Sequence, residues 1–257
     1  MNKLADAFTK KGTFIAYLMA GDPNLEICAQ YILEAQDAGA DIIELGIPFS
    51  DPIAEGEVIQ GASVRALSAG TNLNNIFDMV LSLKDKIHIP LAFMTYLNPV
   101  FVYGYDRFFS KCREVGICGI IIPDLPFEEQ EEVTSVATNY GVDVVTLVAP
   151  TSRERVNLIA DKAQGFIYLV SSMGVTGVRS KITSDIKKRV EEIKAVTDCP
   201  VAVGFGISTP QQAEEYSRYA DGVIVGSAIV NIIAENGINA HTKLHDYISS
   251  MKQAAIN

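Results

Sequence analysis

The stretch Asp41-Ile-Ile-Glu-Leu-Gly-Ile-Pro-Phe-Ser-Asp-Pro-Ile-Ala-Glu-Gly-Glu-Val-Ile-Gln60 joins an apolar run to a loop punctuated by Pro and Gly. The run is typical of a strand covered on both faces, and the loop is typical of its carboxyl end. Glu44 stands in this run between Ile43 and Leu45. Burying an ionisable group there costs free energy unless the group is paired or used. The segment therefore predicts a strand that displays a functional carboxylate.

Other short apolar runs resemble this strand, and helical patterns separate them along the chain. The predicted strands are 13–19, 41–45, 90–94, 119–122, 143–148, 166–170, 201–203 and 222–225. The predicted helices are 25–38, 73–84, 105–115, 127–139, 153–163, 184–196, 210–219 and 228–234, with further helices at 3–9 and 239–255. Strands that alternate with helices indicate βα units around a parallel sheet.

The length of the chain leaves two architectures open. With 257 residues and 48% hydrophobic side chains, it can bury a large core. This length fits either two small domains or one large α/β barrel. The alternating units continue without a linker, which favours the barrel. We therefore predict an α/β fold, a single (β/α)8 TIM barrel of residues 1–257 with extra helices at its ends.

Charge and cysteine content exclude several classes of function. A formal net charge of −10 argues against nucleic acid and anionic membrane as partners. We find neither a signal peptide nor an apolar run of membrane length, so we expect a soluble cytoplasmic protein. The four cysteines lack CxxC spacing, so disulfides are not expected. His241 and His245 lack a third ligand on their predicted helix, so we expect no metal.

Glycine-rich loops follow the last strands. Gly204-Phe-Gly-Ile-Ser208 follows the seventh strand, Gly226-Ser227 opens the helix after the eighth, and Gly174-Val-Thr-Gly177 lies in the sixth loop. Open backbone N–H groups and a helix N-terminus bind phosphate, commonly at this place in the fold. Alternatively, the glycines only permit tight turns, but three adjacent loops favour a phosphorylated small molecule. The predicted phosphate-binding residues are Gly177, Gly206, Gly226 and Ser227.

Four motifs occur in the order found in a known family. They are Glu-Leu-Gly-Ile-Pro-Phe-Ser-Asp-Pro at 44–52, Pro-Asp-Leu-Pro at 123–126, Gly-Val-Thr-Gly at 174–177 and Gly-Phe-Gly-Ile-Ser at 204–208. With them the chain resembles the tryptophan synthase α chain family over nearly its whole length. The resemblance implies a lyase of tryptophan biosynthesis that cleaves indole-3-glycerol phosphate to indole and glyceraldehyde 3-phosphate. It also implies no cofactor in this chain and an αββα heterotetramer with a pyridoxal-phosphate β chain.

The implied retro-aldol reaction needs two carboxylates, because indole C3 gains a proton while indole N1 and a side-chain hydroxyl lose theirs. Glu44 matches the family's acid–base glutamate, and we expect desolvation to raise its pKa. Glu55 stands where the family pattern Leu-Ala-Asp-Gly has aspartate, so the resemblance implies that it polarises indole N1–H with a longer side chain. The alternatives are a buried ion pair for Glu44 and a solvated loop residue for Glu55.

The resemblance also implies roles for other side chains. Tyr17 and Ile121 would lie against the indole, with Tyr168 near the substrate. Thr176 would contact the second carboxylate when the sixth loop closes, and Tyr96 would line or support the pocket. The positions that correspond to the β-chain interface are Asp51, Pro52, Asn98 and Pro126, although ordinary turn residues would fit there equally well.

Two other functions remain open. A sugar-phosphate isomerase would share the last two loops but not the motif that begins at Glu44. A catalytically weakened α chain would act mainly as an allosteric activator of the β chain, as the longer Glu55 suggests. The sixth loop also has Ser171-Ser172-Met173 where relatives often carry an arginine. Indole release measured with and without the β chain distinguishes these functions.

Overall fold

A closed parallel barrel forms the centre of the protein. A computed structural model describes residues 4–149, 162–170, 179–204 and 206–257. The strands are β1 (Thr13–Met19), β2 (Ile42–Gly46), β3 (Leu91–Met94), β4 (Ile117–Ile121), β5 (Asp143–Val148), β6 (Ile167–Val170), β7 (Val201–Gly204) and β8 (Gly222–Val225). Each strand pairs in parallel with the next, and β8 pairs with β1. The predicted (β/α)8 TIM barrel is confirmed.

Helices surround the barrel and decorate its ends. Within the described residues they are α1 (Leu25–Asp37), α2 (Glu57–Ser68), α3 (Leu73–Leu83), α4 (Leu97–Tyr103), α5 (Tyr105–Val115), α6 (Gln130–Asn139), α7 (Arg179–Lys194), α8 (Pro210–Ser217), α9 (Ser227–Asn236) and α10 (His241–Ile256). Short 3-10 turns occur at Leu4–Thr9, Phe127–Glu129 and Gly237–Asn239. The predicted helix at 153–163 falls largely outside the described residues.

Two helices differ from expectation because their sequences carry weak signals. The sequence did not predict α2, whose buried side consists of the small residues Ala62, Ser63 and Ala66. Nor did it predict α4, which has only 7 residues. In addition, α7 begins at Arg179 rather than at 184. These corrections matter for the site because α2 and α4 follow β2 and β3 directly.

Side-chain caps fix the starts of several helices. The Thr209 hydroxyl accepts a hydrogen bond from the Gln212 backbone N–H at 3.3 Å, and Pro210 occupies the first turn of α8, as is typical of a helix start. Asn24 caps α1 and Asn72 caps α3 with their side-chain oxygens. Such caps stabilise helix N-termini near the carboxyl ends of the strands.

The base of the barrel is filled by the chain's first turn. Leu4 is fully buried and lies against Gly119 and Gly165, where a Cβ would crowd its side chain. The ring of Phe8 lies 5.5 Å from that of Phe166, between ring centroids. Apolar side chains therefore close the base, and the carboxyl ends of the strands form the open mouth.

The last helix returns to the start of the barrel. Lys252 Nζ on α10 donates to Asp41 Oδ2 at 2.6 Å and to the Gly12 carbonyl at 3.0 Å. A Cβ on Gly12 would overlap the carbonyl oxygen of Ala255, so the two backbones are in contact. The segment just before β1 and the end of α10 therefore meet at the base.

None of the described helices has the length and apolar content needed to cross a membrane. His241 and His245 both contact the carboxylate of Glu34 on α1, at 3.5 and 2.7 Å, so their partner comes from another helix. No group of three or more potential metal ligands occurs among the described residues. Cys28, Cys112, Cys118 and Cys199 are free thiols.

Candidate active site

A cavity of about 310 Å³ opens at the mouth of the barrel, where this fold places its chemistry. Its wall contains carboxylates, aromatic rings, apolar side chains and glycines. The lining residues are Tyr17, Glu44, Glu55, Gly56, Ile59, Met94, Tyr168, Gly206, Ile207, Ser208, Ile224, Gly226, Ser227 and Ala228. The two predicted catalytic carboxylates therefore share one cavity with three of the predicted phosphate-binding residues.

Glu44 is a deeply buried carboxylate on β2. It is 1% exposed, and neither carboxylate oxygen has a hydrogen-bond partner among the described residues. An ion pair to Glu44 is likewise absent there, which disfavours a structural ion-pair role. Burial raises the pKa of Glu44 to about 8, in the expected direction. Both protonation states are therefore accessible near neutral pH, as proton donation and acceptance by one group require.

Glu55 faces the cavity from the β2–α2 loop, residues 47–56. Its Oε2 is buried without a hydrogen-bond partner among the described residues, whereas the Tyr96 hydroxyl is hydrogen-bonded to the carboxylate. Burial raises the pKa of Glu55, the Tyr96 hydrogen bond lowers it, and the nearby charge of Asp124 raises it. Glu55 thus belongs to the cavity wall rather than to the solvated surface.

Tyr96 organises the loop that carries Glu55. Its hydroxyl oxygen accepts hydrogen bonds from the backbone N–H groups of Ile53 at 3.0 Å and Ala54 at 2.8 Å. Gln60 Nε2 donates to the Glu55 carbonyl at 2.8 Å. These contacts fix the backbone of the loop on both sides of Ala54 and at Glu55, and they thereby position the residue that carries the carboxylate.

The opposite end of the cavity is rich in backbone donors. Gly206 has a φ of +78°, a left-handed conformation that favours glycine. Gly226 is the N-cap of α9 and supplies no side chain to its first N–H groups. Ser227 is exposed at the first position of that helix. The uncapped N-terminus and its dipole suit an anionic group.

Two tyrosine rings lie between these ends, each above a glycine. A Cβ on Gly46 would overlap the Tyr17 hydroxyl, and a Cβ on Gly204 would overlap the Tyr168 hydroxyl. The two glycines therefore make room for the rings. Burial raises the pKa of both phenols well above 10.0, so both keep their protons.

Two predicted site residues do not line the cavity, and the sequence did not single out several residues that do. Tyr96 lies behind the β2–α2 loop and Ile121 is buried inside the barrel, so neither lines the cavity. Thr176 and Gly177 lie outside the described residues. The sequence did not single out the apolar wall of Ile59, Met94, Ile207, Ile224 and Ala228. Ile59 belongs to the unpredicted α2, while Met94 and Ile224 show only the inward alternation of a strand.

A surface next to the mouth combines polar and apolar groups. Of the predicted interface positions, Asp51, Asn98 and Pro126 are exposed and Pro52 is half-buried. Beside them, Ile53, Phe101 and Val102 expose 80%, 64% and 75% of their area. Large apolar side chains exposed together are typical of a protein–protein contact.

Known proteins resemble this chain along its whole length. The family model described as tryptophan synthase alpha chain matches residues 4–256. The tryptophan synthase alpha chain of Lacticaseibacillus casei is 44% identical over 254 residues, covering 99% of this chain and 96% of that protein. Tryptophan synthase subunit alpha from Legionella pneumophila has a TM-score of 0.90 at 36% identity, covering 99% and 98%. A chain of the tryptophan synthase a2b2 complex from Pyrococcus furiosus has a TM-score of 0.88 at 38% identity, covering 94% and 98%.

The fold and the cavity define the class: a TIM-barrel enzyme with buried carboxylates at the mouth of its barrel. The full-length match, at more than two-fifths identity to a relative, narrows the class to one family. The chain belongs to the tryptophan synthase alpha chain family.

Proposed function

We propose that this cavity cleaves indole-3-glycerol phosphate to indole and glyceraldehyde 3-phosphate, with Glu44 and Glu55 as its acid–base pair. This cleavage is the reaction of the tryptophan synthase α chains, a carbon–carbon lyase step of tryptophan biosynthesis. The main support is the buried carboxyl of Glu44, which faces the cavity without a described partner and has a pKa of about 8. The comparisons lend no support to a sugar-phosphate isomerase.

The two carboxylates divide the proton transfers between them. Protonated Glu44 donates to indole C3 while the free oxygen of Glu55 accepts the N1 proton. The Glu44 carboxylate then takes the proton of the carbinol hydroxyl next to C3. The carbon–carbon bond breaks, its electron pair returns to the ring, and N1 recovers its proton from Glu55. Both groups thereby regain their starting states, as acid–base catalysis requires.

The substrate's three parts fit three regions of the cavity. We place the phosphate at Gly206, Gly226 and Ser227, with Gly177 as a further proposed contact. The glycerol chain then lies along Tyr17 and Tyr168, and the indole lies between Glu55 and the apolar wall. Thr176 stays a proposed contact of Glu55, while Tyr96 and Ile121 act as supports behind the wall.

Indole release from indole-3-glycerol phosphate tests the function, with the β chain present and absent. We expect Glu44→Gln to lower the turnover of the complex by about 10³-fold, because the amide neither donates nor accepts the required proton. Glu57→Gln is a matched control, since Glu57 is exposed and outside the cavity wall. A complex that releases no indole, or an unimpaired Glu44→Gln variant, would refute the proposal.

The alternative of a weakened chain that serves mainly to activate its partner is not favoured by the comparisons. A second variant in the same assay separates the two functions. The Tyr96 hydroxyl holds the loop that carries Glu55 through the N–H groups of Ile53 and Ala54, and it also interacts with the Glu55 carboxylate. We therefore expect Glu55→Asp to be about tenfold slower, since a displacement near 1 Å is costly. A faster Glu55→Asp variant would favour the weakened chain.

The partner of this chain is the tryptophan synthase β chain, in an αββα heterotetramer. The α reaction uses no cofactor, and pyridoxal phosphate belongs to the β chain. We propose that the β chain covers Asp51, Pro52, Asn98 and Pro126. The exposed apolar side chains of Ile53, Phe101 and Val102 beside them support this surface.

We also propose one domain over residues 1–257 and a cytoplasmic location. A single closed barrel takes strands from residue 13 to residue 225, which supports one domain. The four cysteines are free thiols, as expected in a reducing compartment.

A further inference from the structure

The Tyr17 side chain extends across the cavity from its anion-binding end to β2, the strand that carries Glu44. On the β8 side, a Cβ on Gly226 would lie 3.5 Å from the Tyr17 Cβ, in ordinary contact. On the β2 side, a Cβ on Gly46 would overlap the Tyr17 hydroxyl oxygen. The ring therefore spans the interval between the anion-binding end and the strand that carries Glu44. The three-carbon chain that joins phosphate to indole must cross this same interval.

The hydroxyl of Tyr17 stands over the acid–base group. Tyr17 and Glu44 are directly paired between β1 and β2, and Gly46 follows two residues later on the same face. The hydroxyl therefore lies at Gly46, one inward-facing position nearer the mouth than the backbone of Glu44. The charges of Glu55 and Glu44 both reach Tyr17. Among the described residues, no side chain or backbone group is hydrogen-bonded to this hydroxyl.

We propose that the Tyr17 hydroxyl donates a hydrogen bond to the carbinol oxygen of the substrate, on the carbon bonded to indole C3. This inference rests on the proposed function above. As the carbinol proton passes to Glu44, the C–C bond pair moves into the ring and the C–O bond becomes the aldehyde C=O. The oxygen gains negative charge during this step. A donor held against it stabilises the transition state more than the bound substrate.

Electrostatics argues against Tyr17 as a base, and position distinguishes Tyr17 from Tyr168 as the hydrogen-bond donor. Burial, followed by the charges of Glu55 and Glu44, holds the pKa of Tyr17 well above 10.0, so the phenol donates and does not act as a base. Tyr168 also lies near Glu44, but its hydroxyl stands above Gly204 of β7, which leads to the anion-binding end. Tyr17 is therefore the tyrosine placed for the carbinol oxygen.

Tyr17→Phe tests the inference because it removes the hydroxyl and keeps the ring. In the complex with the β chain, we expect kcat for indole release to fall about 10–100-fold, with KM within about threefold. Tyr219→Phe is the matched control, since it removes a buried hydroxyl that lies outside the cavity wall. We expect this control to keep wild-type kcat and KM.

A substrate analogue checks that the ring still packs. Indole-3-propanol phosphate keeps the indole and the phosphate but lacks the carbinol hydroxyl, so we expect equal Kd values for wild type and Tyr17→Phe. An unchanged kcat in an active Tyr17→Phe complex would overturn this inference and leave the proposed function standing. Weaker analogue binding that accounts for the whole loss would also overturn it. A wild-type complex without indole release would overturn both.

Discussion

Glu44 and Glu55 are the same chemical group in two different surroundings. Glu44 is surrounded by apolar strands, and burial alone raises its pKa. Glu55 is half-buried, and the hydrogen bond from Tyr96 partly offsets the effect of its burial. Surroundings that shift the pKa values of two carboxyls differently also suit the two groups to different roles. These surroundings support the roles that we propose, proton exchange for Glu44 and acceptance of the N1 proton for Glu55.

The pKa of Glu44 has a consequence for stability. Its folded-state value of about 8 exceeds the ordinary value of 4.5, so folding favours the protonated form. The stability that this group contributes is therefore complete below pH 4.5 and is lost as pH rises through about 8, by up to about 1.4 kcal/mol per pH unit. We expect Glu44→Gln, which cannot ionise, to be more stable than wild type by a margin that grows with pH.

Urea unfolding at pH 5, 7 and 9 measures this margin as the difference in the free energy of unfolding. The exposed Glu57→Gln variant reports any general effect of removing one carboxylate from this region. If the margin of Glu44→Gln were the same at pH 5 and pH 9, ionisation of Glu44 would not be its cause.

Sequence reasoning singled out Glu44, which lies in the cavity wall, because its signal is local, a carboxylate inside an apolar run. The role of Tyr96 could not be found in this way. Tyr96 reaches Glu55 and the N–H groups of Ile53 and Ala54 only because the end of β3 lies beside the β2–α2 loop in the closed barrel. A partner so distant along the chain leaves no pattern of spacing in the sequence.

At the scale of secondary structure, α2 connects the β2–α2 loop to the end of the first strand. It begins two residues after Glu55, and its N-cap Gly56 offers no side chain. Farther along, Arg65 forms a two-point ion pair with Asp22 just after β1, at 2.8 and 2.7 Å. This pair fixes the helix, and with it the end of the loop, against the barrel.

We expect Arg65→Met to destabilise the protein because it leaves the Asp22 carboxylate, 1% exposed, without its cation. Losing a partner of a buried pair typically costs 3–5 kcal/mol, and the 36% exposure of Arg65 reduces this to about 2–3 kcal/mol. Urea unfolding measures the loss. The double variant with Asp22→Asn should recover part of it, since the stranded charge is gone. Equal stability of the single variant and wild type would contradict a structural role for the pair.

Strands were easier to predict than helices in this chain. The strands are short, continuous apolar runs because both of their faces are covered, by the barrel interior and by the helices. By contrast, α2 buries alanine and serine, so its apolar stripe is faint. In α4 the exposed side chains of Phe101 and Val102 are apolar, as is the buried Val100, so no apolar stripe stands out. The exposed apolar side chains of α4 thus obscure the pattern by which a helix is recognised in the sequence.

At the scale of the whole molecule, the two ends of the barrel have different tasks. The mouth carries the carboxylates and glycine-rich loops, while the base carries the Leu4 plug and the contact between α10 and the start of β1. The alternation of strands and helices predicted the barrel itself. The filling of the base by Leu4 was not predictable, because it depends on Gly119 and Gly165 arriving there from distant parts of the chain.

The substitution Lys252→Met tests whether the base of the barrel stabilises the fold without affecting the reaction at the mouth. The substitution removes the bonds from Lys252 Nζ to Asp41 and to the Gly12 carbonyl, at a cost of about 1–2 kcal/mol. For a chain of this size, Tm should fall by about 2–8 °C. We expect kcat at 25 °C to stay at the wild-type value, because the base contains no part of the cavity. Calorimetry and the indole assay measure the two quantities.

Lys243→Met is the matched control on the same helix, since Lys243 contacts only the surface residue Asn236 in the described structure. It should leave both Tm and kcat unchanged. A lower kcat in Lys252→Met, measured well below its Tm, would mean that the base and the mouth are coupled.

The contact between Gly12 and Ala255 brings the start of β1 beside the end of the last helix. A covalent bridge that joins the segments on either side of this contact would close them into a circle without displacing a strand. That circle could be reopened at a different base turn, such as the one at Gly141, and every loop at the mouth would remain intact. Circular permutation therefore offers new attachment points for fused domains, on the side of the protein opposite the mouth of the barrel.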